Sequence, residues 1–316
     1  EEPQAMRIKL GVHAGPQDLP MDDLRRLWKQ ADEAGFYWIS VWDHFYANPL
    51  ESRENVCFEA VAAMATLAAV TTRARVGCLV FCTLFRNPGL LAKAAITVDH
   101  ISGGRCELGL GGGWFEEEFR EFGYGFPPIK ERLDQMEEAV QIIKSLFDQE
   151  VTHFTGKYYD VQGAVCAPKP VNGKLPIWIG GRGPRRTPRM AAQYADGYNL
   201  PYVSPGEFRQ RMEQLEAACG RLGRDPGDIA RSVNLHFLMA ADEAGARRAS
   251  ERLEKIGPDR RAGALTGKSQ EVIDRIGEYV EAGAEGLNIA FRAPIDWEAF
   301  DAYIENVLPV FHEPPR

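Results

Sequence analysis

An acid and an imidazole end the most apolar strand-like run of the chain. Residues 37–42 read YWISVW, and Asp43 and His44 follow them directly. A parallel strand buried on both faces reads as a near-continuous apolar run, and barrels and open sheets build their active sites at the carboxyl ends of such strands. Because an imidazole can exchange a proton near neutral pH, the pair predicts acid–base chemistry. The alternative is an Asp43 that caps the next segment beside an ordinary loop histidine.

Polar or small residues also follow most of the other predicted strands. Since the carboxyl ends of barrel strands share one rim, we expect these residues to converge there. Each also has a purely structural explanation, because glycines make tight turns and His13 or His236 can be hydrogen-bonded core groups. From this rim we assign His13, Trp114 and Asn199 to a substrate pocket. The rim residues are His13, Asp43, His44, Cys82, Thr83, Gly111, Gly112, Gly113, Trp114, Gly180, Gly181, Arg182, Gly183, Asn199 and Arg292.

The glycine-rich turn of residues 180–183 carries a specific chemical prediction. It leads from a strand into a helix that we expect to begin near Pro184, so its backbone N–H groups and the helix dipole favour an anion. Arg182 adds a charged donor. Barrels commonly bind phosphate beside their late strands, so the turn predicts a phosphorylated cofactor. The alternative is a simple turn before an exposed basic helix.

The elements that position these residues alternate between strand and helix. The apolar runs predict eight strands, a β-hairpin insertion near residues 150–166, and amphipathic helices between the strands. This pattern predicts a single (β/α)8 TIM barrel over residues 6–312. A doubly wound sheet is the main rival, but the first strand–helix turn lacks the dinucleotide-binding glycine spacing. The predicted strands are residues 6–13, 37–42, 74–81, 105–110, 176–179, 197–200, 232–239 and 286–291; the helices are 21–34, 58–70, 88–100, 132–149, 184–194, 205–222, 242–256 and 270–282.

Composition excludes several classes of protein. The 316 residues carry a net charge of −8 and form no long basic run, which argues against nucleic-acid binding. No apolar stretch reaches the ~20 residues of a membrane helix and no signal-peptide pattern opens the chain, so we expect a cytoplasmic protein that acts on a small molecule. The six cysteines lack ligand spacing, so we expect free thiols and no metal. We interpret residues 1–5 as a leader before a native start at Met6.

Six segments, in order along the chain, carry a resemblance to a known family. The chain resembles the luciferase-like monooxygenase superfamily, and more closely its branch of oxidoreductases that use the deazaflavin coenzyme F420. The resemblance implies a TIM barrel with insertions, commonly a homodimer. The matching segments are residues 40–45 (SVWDHF), 86–93 (RNPGLLAK), 99–105 (DHISGGR), 109–114 (GLGGGW), 126–132 (FPPIKER) and 177–181 (IWIGG).

The resemblance also implies a role for particular residues. His44 is expected near the redox carbon of the cofactor ring, with Asp43 orienting either the ring or His44. A cis peptide bond is expected between Leu79 and Val80, which together with Cys82 support the ring. The residues implied to line the ring pocket are Cys82, Gly111, Gly112 and Gly113, and those implied to take the phosphate are Gly181, Arg182 and Gly183.

One departure from the family bears on the substrate. Some relatives that oxidise sugar phosphates have a glutamate where this chain has Trp114, which weakens that assignment here and leaves the second proton donor open. We interpret Glu116, Glu117 and Glu118 as a solvated first turn of a helix. The function predicted is hydride transfer between F420 and an unidentified small substrate, in either direction. The alternatives are an FMN-dependent monooxygenase and a noncatalytic flavin-binding barrel.

Overall fold

Eight parallel strands close into a barrel, as the sequence predicts. The structure is a computed structural model that describes residues 7–311. Strands β1, β2, β3, β4, β7, β8, β9 and β11 pair in that order, and β11 returns to pair with β1. The strands are β1 (Lys9–Ala14), β2 (Trp38–Val41), β3 (Arg75–Cys82), β4 (Cys106–Gly111), β5 (Thr152–Thr155), β6 (Asp160–Ala164), β7 (Ile177–Gly180), β8 (Gly197–Pro201), β9 (Ala230–Met239), β10 (Ala264–Gly267) and β11 (Gly286–Phe291).

Helices surround the barrel because each turns an apolar stripe towards the strands. In the first helix, Leu24, Leu27, Trp28 and Ala31 are buried, and Gly35 ends the helix with a φ of 90°. The helices are α1 (Met21–Ala34), α2 (Ala60–Val70), α3 (Pro88–Ser102), α4 (Glu116–Glu121), α5 (Ile129–Asp148), α6 (Arg186–Tyr194), α7 (Pro205–Leu222), α8 (Glu243–Lys255), α9 (Pro258–Arg261), α10 (Ser269–Glu281), α11 (Trp297–Asn306) and α12 (Leu308–Phe311).

The interior of the barrel is polar at mid-height. The Asn199 side chain donates to Ser232 Oγ at 2.8 Å and to Asn234 Oδ1 at 3.1 Å, and Asn288 donates to Asn234 Oδ1 at 2.9 Å. All four residues are buried, so their polar groups satisfy one another in place of water. Above this layer, Ala290 pairs with His13 of β1 on one side and with His236 of β9 on the other. The two histidines therefore lie at one level near the carboxyl ends of their strands.

Several elements differ from the sequence prediction. All eight predicted barrel strands and the hairpin β5–β6 are present, but β10 was not predicted; it pairs with the last four residues of β9. Helices α9, α11 and α12 were also not predicted, whereas α4 begins at Glu116 as the acidic first turn indicated, and α6 begins at Arg186, two residues after Pro184. Residues 1–5 and Met6 lie outside the described part of the chain. Within residues 7–311, no helix is both long and apolar enough to span a membrane.

Candidate active site

His44 is held by a buried carboxylate that the sequence interpretation missed. The His44 Nδ1 atom lies 2.7 Å from Glu118 Oε1, and the Phe45 N–H group donates to Glu118 Oε2 at 2.9 Å. Glu118 is only 1% exposed, so the interpretation of this residue as part of a solvated turn is wrong. Buried Phe115 and Phe119 pack α4 against the barrel and turn Glu118 inward, whereas its neighbours Glu116 and Glu117 stay exposed. The apolar residues on either side of the acidic run were the available signal.

Asp43 belongs to a separate buried ion pair. Its carboxylate accepts hydrogen bonds from Arg86 Nη1 at 2.7 Å, from Arg86 Nη2 at 2.9 Å and from the Cys82 N–H group at 2.9 Å. Burial raises the pKa of Asp43, and the contacts with Arg86 oppose that shift. The hydrogen bonds of Asp43 go to Arg86 and Cys82 and not to His44. The role of Asp43 towards a cofactor ring stays a prediction. Sequence analysis did not identify Arg86 as a site residue; it named Arg86 only as part of a segment that resembles the family.

Aromatic side chains surround His44. The Trp114 ring lies 5.5 Å from the His44 ring and stacks on Phe115 at 5.2 Å. Trp114 is 50% exposed, so part of this large ring is open to a ligand. The Arg260 guanidinium lies 5.5 Å from the centre of the same ring. This arrangement supports a binding role for Trp114 and makes a core-filling role untenable.

The Val80 side chain packs against two glycines, Gly111 at the end of β4 and Gly180 at the end of β7. The peptide bond between Leu79 and Val80 is cis, as expected from the resemblance. A Cβ atom on Gly111 would lie 2.4 Å from Val80 Cγ2, and one on Gly180 would lie 2.5 Å from Val80 Cγ1. Only glycine leaves space for Val80 at both positions. Val80 is partly exposed beside buried Leu79, which gives a flat ring an apolar surface to rest on.

The other two glycines of the β4 turn pack against protein side chains. A Cβ atom on Gly113 would lie 2.5 Å from Phe119 Cζ and 2.9 Å from Cys82 Sγ. A Cβ atom on Gly112 would lie 3.2 Å from Leu133 Cδ2. Close packing thus explains why these positions are glycine. Their contact with a cofactor ring, and that of Cys82, stays a prediction.

The turn at residues 180–183 fits a phosphate through its backbone. Gly181 has a φ of 141°, which favours glycine, and a Cβ atom on Gly183 would lie 2.8 Å from Thr187 Oγ1. The turn leads into α6, whose first residues have no side-chain cap at Arg185, so the helix N-terminus is available to an anion.

Two groups of this turn already have protein partners. The Gly181 N–H group donates to the Asn199 carbonyl at 3.2 Å. The Arg182 guanidinium lies 2.8 Å from Glu207 and 3.4 Å from Asp259. The residues that fit a phosphate are therefore Gly183 and the first turn of α6. Binding by Gly181 and Arg182 stays a prediction.

The opposite side of the barrel mouth carries two uncharged histidines and an arginine. Burial and the nearby Arg292 lower the pKa of His13 to about 3, and the same causes lower the pKa of His236 to about 3. His13 Nδ1 lies 2.8 Å from Ser40 Oγ, and the His236 ring stacks on Tyr202 at 4.0 Å. The structure thus brings His13 to the mouth as predicted. Asn199 instead lies 2% exposed in the layer below, among the barrel amides.

Comparison with known proteins agrees with this geometry. The sequence model of the luciferase-like monooxygenase family matches residues 6–263. The chain is 30% identical over 248 residues to an F420-dependent glucose-6-phosphate dehydrogenase of Kineococcus radiotolerans, covering 76% of this chain and 70% of that enzyme.

Two solved structures share the fold. An F420-dependent secondary alcohol dehydrogenase in complex with an F420–acetone adduct has a TM-score of 0.84 at 19% identity, covering 97% of this chain and 100% of that one. The oxygenating constituent of 3,6-diketocamphane monooxygenase from Pseudomonas putida, in complex with FMN, has a TM-score of 0.78 at 18% identity and covers 98% of this chain and 100% of that one. Enzymes of both cofactor types thus have this barrel.

Proposed function

Because the chain belongs to the luciferase-like monooxygenase family, we propose that it transfers a hydride between coenzyme F420 and a small organic substrate. The observation that carries the proposal is the buried Glu118–His44 pair at the barrel mouth. A buried carboxylate on one imidazole nitrogen leaves the other nitrogen to exchange a proton with a ligand. Hydride transfer to or from a carbon–oxygen or carbon–nitrogen bond needs one such proton transfer, and no metal.

Different residues of the barrel mouth contact different parts of the cofactor and the substrate. Gly183 and the first turn of α6 would hold the phosphate, and Val80 would support the ring. Bound F420 supplies the carbon that gives or accepts the hydride. The exposed face of Trp114 positions the substrate and excludes water from beside His44.

Glu118 and His44 act on the proton. Glu118 accepts a hydrogen bond from His44 Nδ1 and so fixes the orientation of the imidazole ring. The other ring nitrogen, Nε2, is then the one that exchanges a proton with the substrate. Nε2 donates a proton to the substrate oxygen or nitrogen in the reductive direction and accepts it in the oxidative direction. The Asp43–Arg86 pair contributes by holding the β2 and β3 ends together through the Cys82 amide.

The second candidate is an FMN-dependent monooxygenase. The FMN-bound Pseudomonas putida enzyme supports it, since its fold matches over 98% of this chain. The sequence resemblance and the F420-dependent relative favour the deazaflavin. A noncatalytic binding barrel is the least supported, because burying the charged Glu118 beside His44 serves no purpose in binding alone. That the protein forms a homodimer, lies in the cytoplasm and acts on a small organic substrate are proposals based on the sequence.

Titration with cofactor and measurement of turnover test the proposal. Purified protein is titrated separately with F420 and FMN, and hydride transfer is then followed against a panel of ketones, alcohols, imines and activated alkenes. We expect F420 to bind more tightly than FMN, and His44→Ala to keep F420 binding while losing turnover. His153→Ala, on the exposed hairpin, serves as the matched control and keeps both. Preference for FMN would favour the monooxygenase, and binding of neither cofactor would contradict both.

A further inference from the structure

Two buried imidazoles flank a small residue at the floor of the barrel mouth. In the strand register Ala290 lies opposite both His13 and His236, so the three residues form a row across β1, β11 and β9. His13, Ala290 and His236 are at most 9% exposed. Alanine carries no polar group, so the two rings supply the hydrogen-bonding side-chain atoms of this row.

His236 carries a buried polar atom without a partner. Its Nε2 atom is inaccessible to solvent and forms no hydrogen bond with any described residue. The ring is fixed by stacking on Tyr202 at 4.0 Å, so it does not turn freely to find another partner. Buried polar atoms in native proteins are almost always hydrogen-bonded, and an exception calls for a ligand or water at the site. The orphaned Nε2 atom is therefore a hydrogen-bonding group that the described protein residues leave unused.

Arg292 is a charged group that acts on both histidines of this row. Its guanidinium lies 4.4 Å from the centre of the Trp42 ring, and its Nη1 atom donates to Gln17 Oε1 at 3.3 Å and to the Asn48 carbonyl at 2.6 Å. No carboxylate within the described residues forms an ion pair with Arg292. By contrast, Arg86 and Arg182, two other arginines in contact with the rim, are each paired with acids. Arg292 thus contributes a positive charge that no described carboxylate compensates.

We propose that His13, His236 and Arg292 form a subsite that binds a carboxylate of the substrate. The proposal rests on the proposed function and specifies it, since it makes the substrate an organic acid whose reacting carbon lies towards His44. Arg292 faces both imidazoles and Arg260 faces His236, so this side of the mouth is positively charged and complements the negative charge of a carboxylate. The planar guanidinium fits a carboxylate through two parallel hydrogen bonds, and a neutral imidazole N–H adds a third donor.

Binding of a charged probe and of its neutral counterpart tests the subsite. Benzoate and benzamide have nearly the same shape, so calorimetric titration of each into the protein without added cofactor isolates the charge. We expect benzoate to bind at least about tenfold more tightly than benzamide, and Arg292→Gln to remove that difference. His236→Gln should weaken benzoate binding about threefold or more. Arg231→Gln, at the opposite end of β9, is the matched control and leaves both affinities unchanged.

A further variant separates recognition of charge from loss of the fold. Arg292→Lys keeps the charge but not the planar donor pair, so it should recover part of the preference for benzoate. Equal affinity for benzoate and benzamide, absence of binding by both, or benzoate selectivity retained in Arg292→Gln with an unchanged melting temperature would each overturn the proposal.

The cofactor is the other possible source of a negative charge. Titration of Arg292→Gln with F420 and with FMN distinguishes it, since we expect the affinity for both to be unchanged. A tenfold loss of cofactor affinity would assign Arg292 to the anionic tail of the cofactor and overturn a substrate subsite. If the wild-type protein binds neither cofactor but still selects benzoate, the subsite stands and the proposed function fails. The two proposals are thus tested independently.

Discussion

The two sides of the barrel mouth use histidine in opposite ways. On the β2–β4 side, His44 contacts the buried carboxylate of Glu118, and Asp43 is paired with Arg86. On the β1–β11–β9 side, His13 and His236 lie beside a cation and have pKa values lowered to about 3. Burial is the largest cause of both lowered pKa values, and the nearby Arg292 is the second. His44 instead has a carboxylate 2.7 Å from its Nδ1 atom.

The difference suits the two sides to different roles in the proposed function. A carboxylate lies at Nδ1 of His44, which leaves the other ring nitrogen to exchange a proton with a ligand. Burial, reinforced by the guanidinium of Arg292, lowers the pKa of His13 and of His236 to about 3, so near neutral pH both stay uncharged and act as hydrogen-bonding groups. A reacting ligand that spans the mouth would therefore meet a proton donor at one end and fixed donors at the other.

The largest effect on the acid-containing side should follow loss of Arg86. Arg86→Met leaves the buried Asp43 carboxylate without its cation, and breaking a buried pair in this way costs about 3–5 kcal/mol. We expect the free energy of unfolding, measured in urea, to fall by that amount. The loss should shrink in the double variant Asp43→Asn, Arg86→Met, which removes the stranded charge.

Arg53→Met is the matched control for this prediction. Arg53 also pairs with a glutamate, Glu121, but the arginine side chain is 56% exposed. Water replaces such a pair readily, so we expect no measurable change in stability. Equal losses of unfolding free energy in the two variants would show that the Asp43–Arg86 pair behaves as a surface ion pair. The two sides of the mouth would then not differ in this respect.

Glu118→Gln should produce the next largest effect, on turnover rather than on stability. A glutamine can still accept a hydrogen bond from Nδ1 but carries no negative charge beside the ring. We expect kcat to fall about tenfold to a hundredfold with little change in cofactor affinity. Glu117→Gln, one residue earlier and exposed, should behave as the wild type. An unchanged kcat in Glu118→Gln would reduce Glu118 to a structural role.

The barrel could be predicted from sequence because its pattern is local and repeated. The eight strands are short and mostly apolar runs, and the helix signals are strong, as at Gly35 and Ser204, so each unit was found independently. β10 was missed because its four residues, ALTG, have no distinctive period. Its pairing with the end of β9 depends on tertiary context rather than on propensity.

The candidate site was harder to predict because proximity in the chain does not give partners in space. Asp43 precedes His44 directly, yet neighbouring residues point in different directions, and His44 instead meets Glu118, which is 74 residues away. A run of acidic residues looks solvated when counted by charge. Only the burial of Phe115 and Phe119 shows which glutamate turns inward. His13 was predictable because strand-end position alone brings it to the rim.

The uncharged side of the mouth should make the protein sensitive to acid. His13 and His236 have a pKa near 6.5 in the unfolded chain but a pKa of about 3 in the folded protein. The unfolded state therefore binds more protons between these two pH values. Stability must therefore fall as the pH falls from about 7 to 5. Each histidine contributes about 2 kcal/mol to that fall, as follows from a shift of this size.

Single variants measure each contribution. Denaturant unfolding of His13→Gln and of His236→Gln at pH 7 and 5 should show a fall in stability about 2 kcal/mol smaller than that of the wild type. The charged groups that face the two rings are Arg292 for both, His44 for His13 and Arg260 for His236. Arg292→Gln should therefore reduce the acid sensitivity through both histidines at once. An unchanged pH slope in all three variants would mean that these rings accept protons in the folded state.

The smallest effect should follow substitution of Gly111, which packs against Val80. Gly111→Ala places a Cβ atom 2.4 Å from Val80 Cγ2, so Val80 must move towards the mouth. We expect a loss of about 1 kcal/mol in stability from overpacking, and weaker binding of the ring-bearing cofactor in a titration. Gly220→Ala, in α7 with no atom within 4 Å of the new Cβ, should instead gain about 0.5–1 kcal/mol. If Gly111→Ala loses stability but binds cofactor normally, Val80 supports the barrel and not the ring, and the cofactor must rest on the His44 side alone.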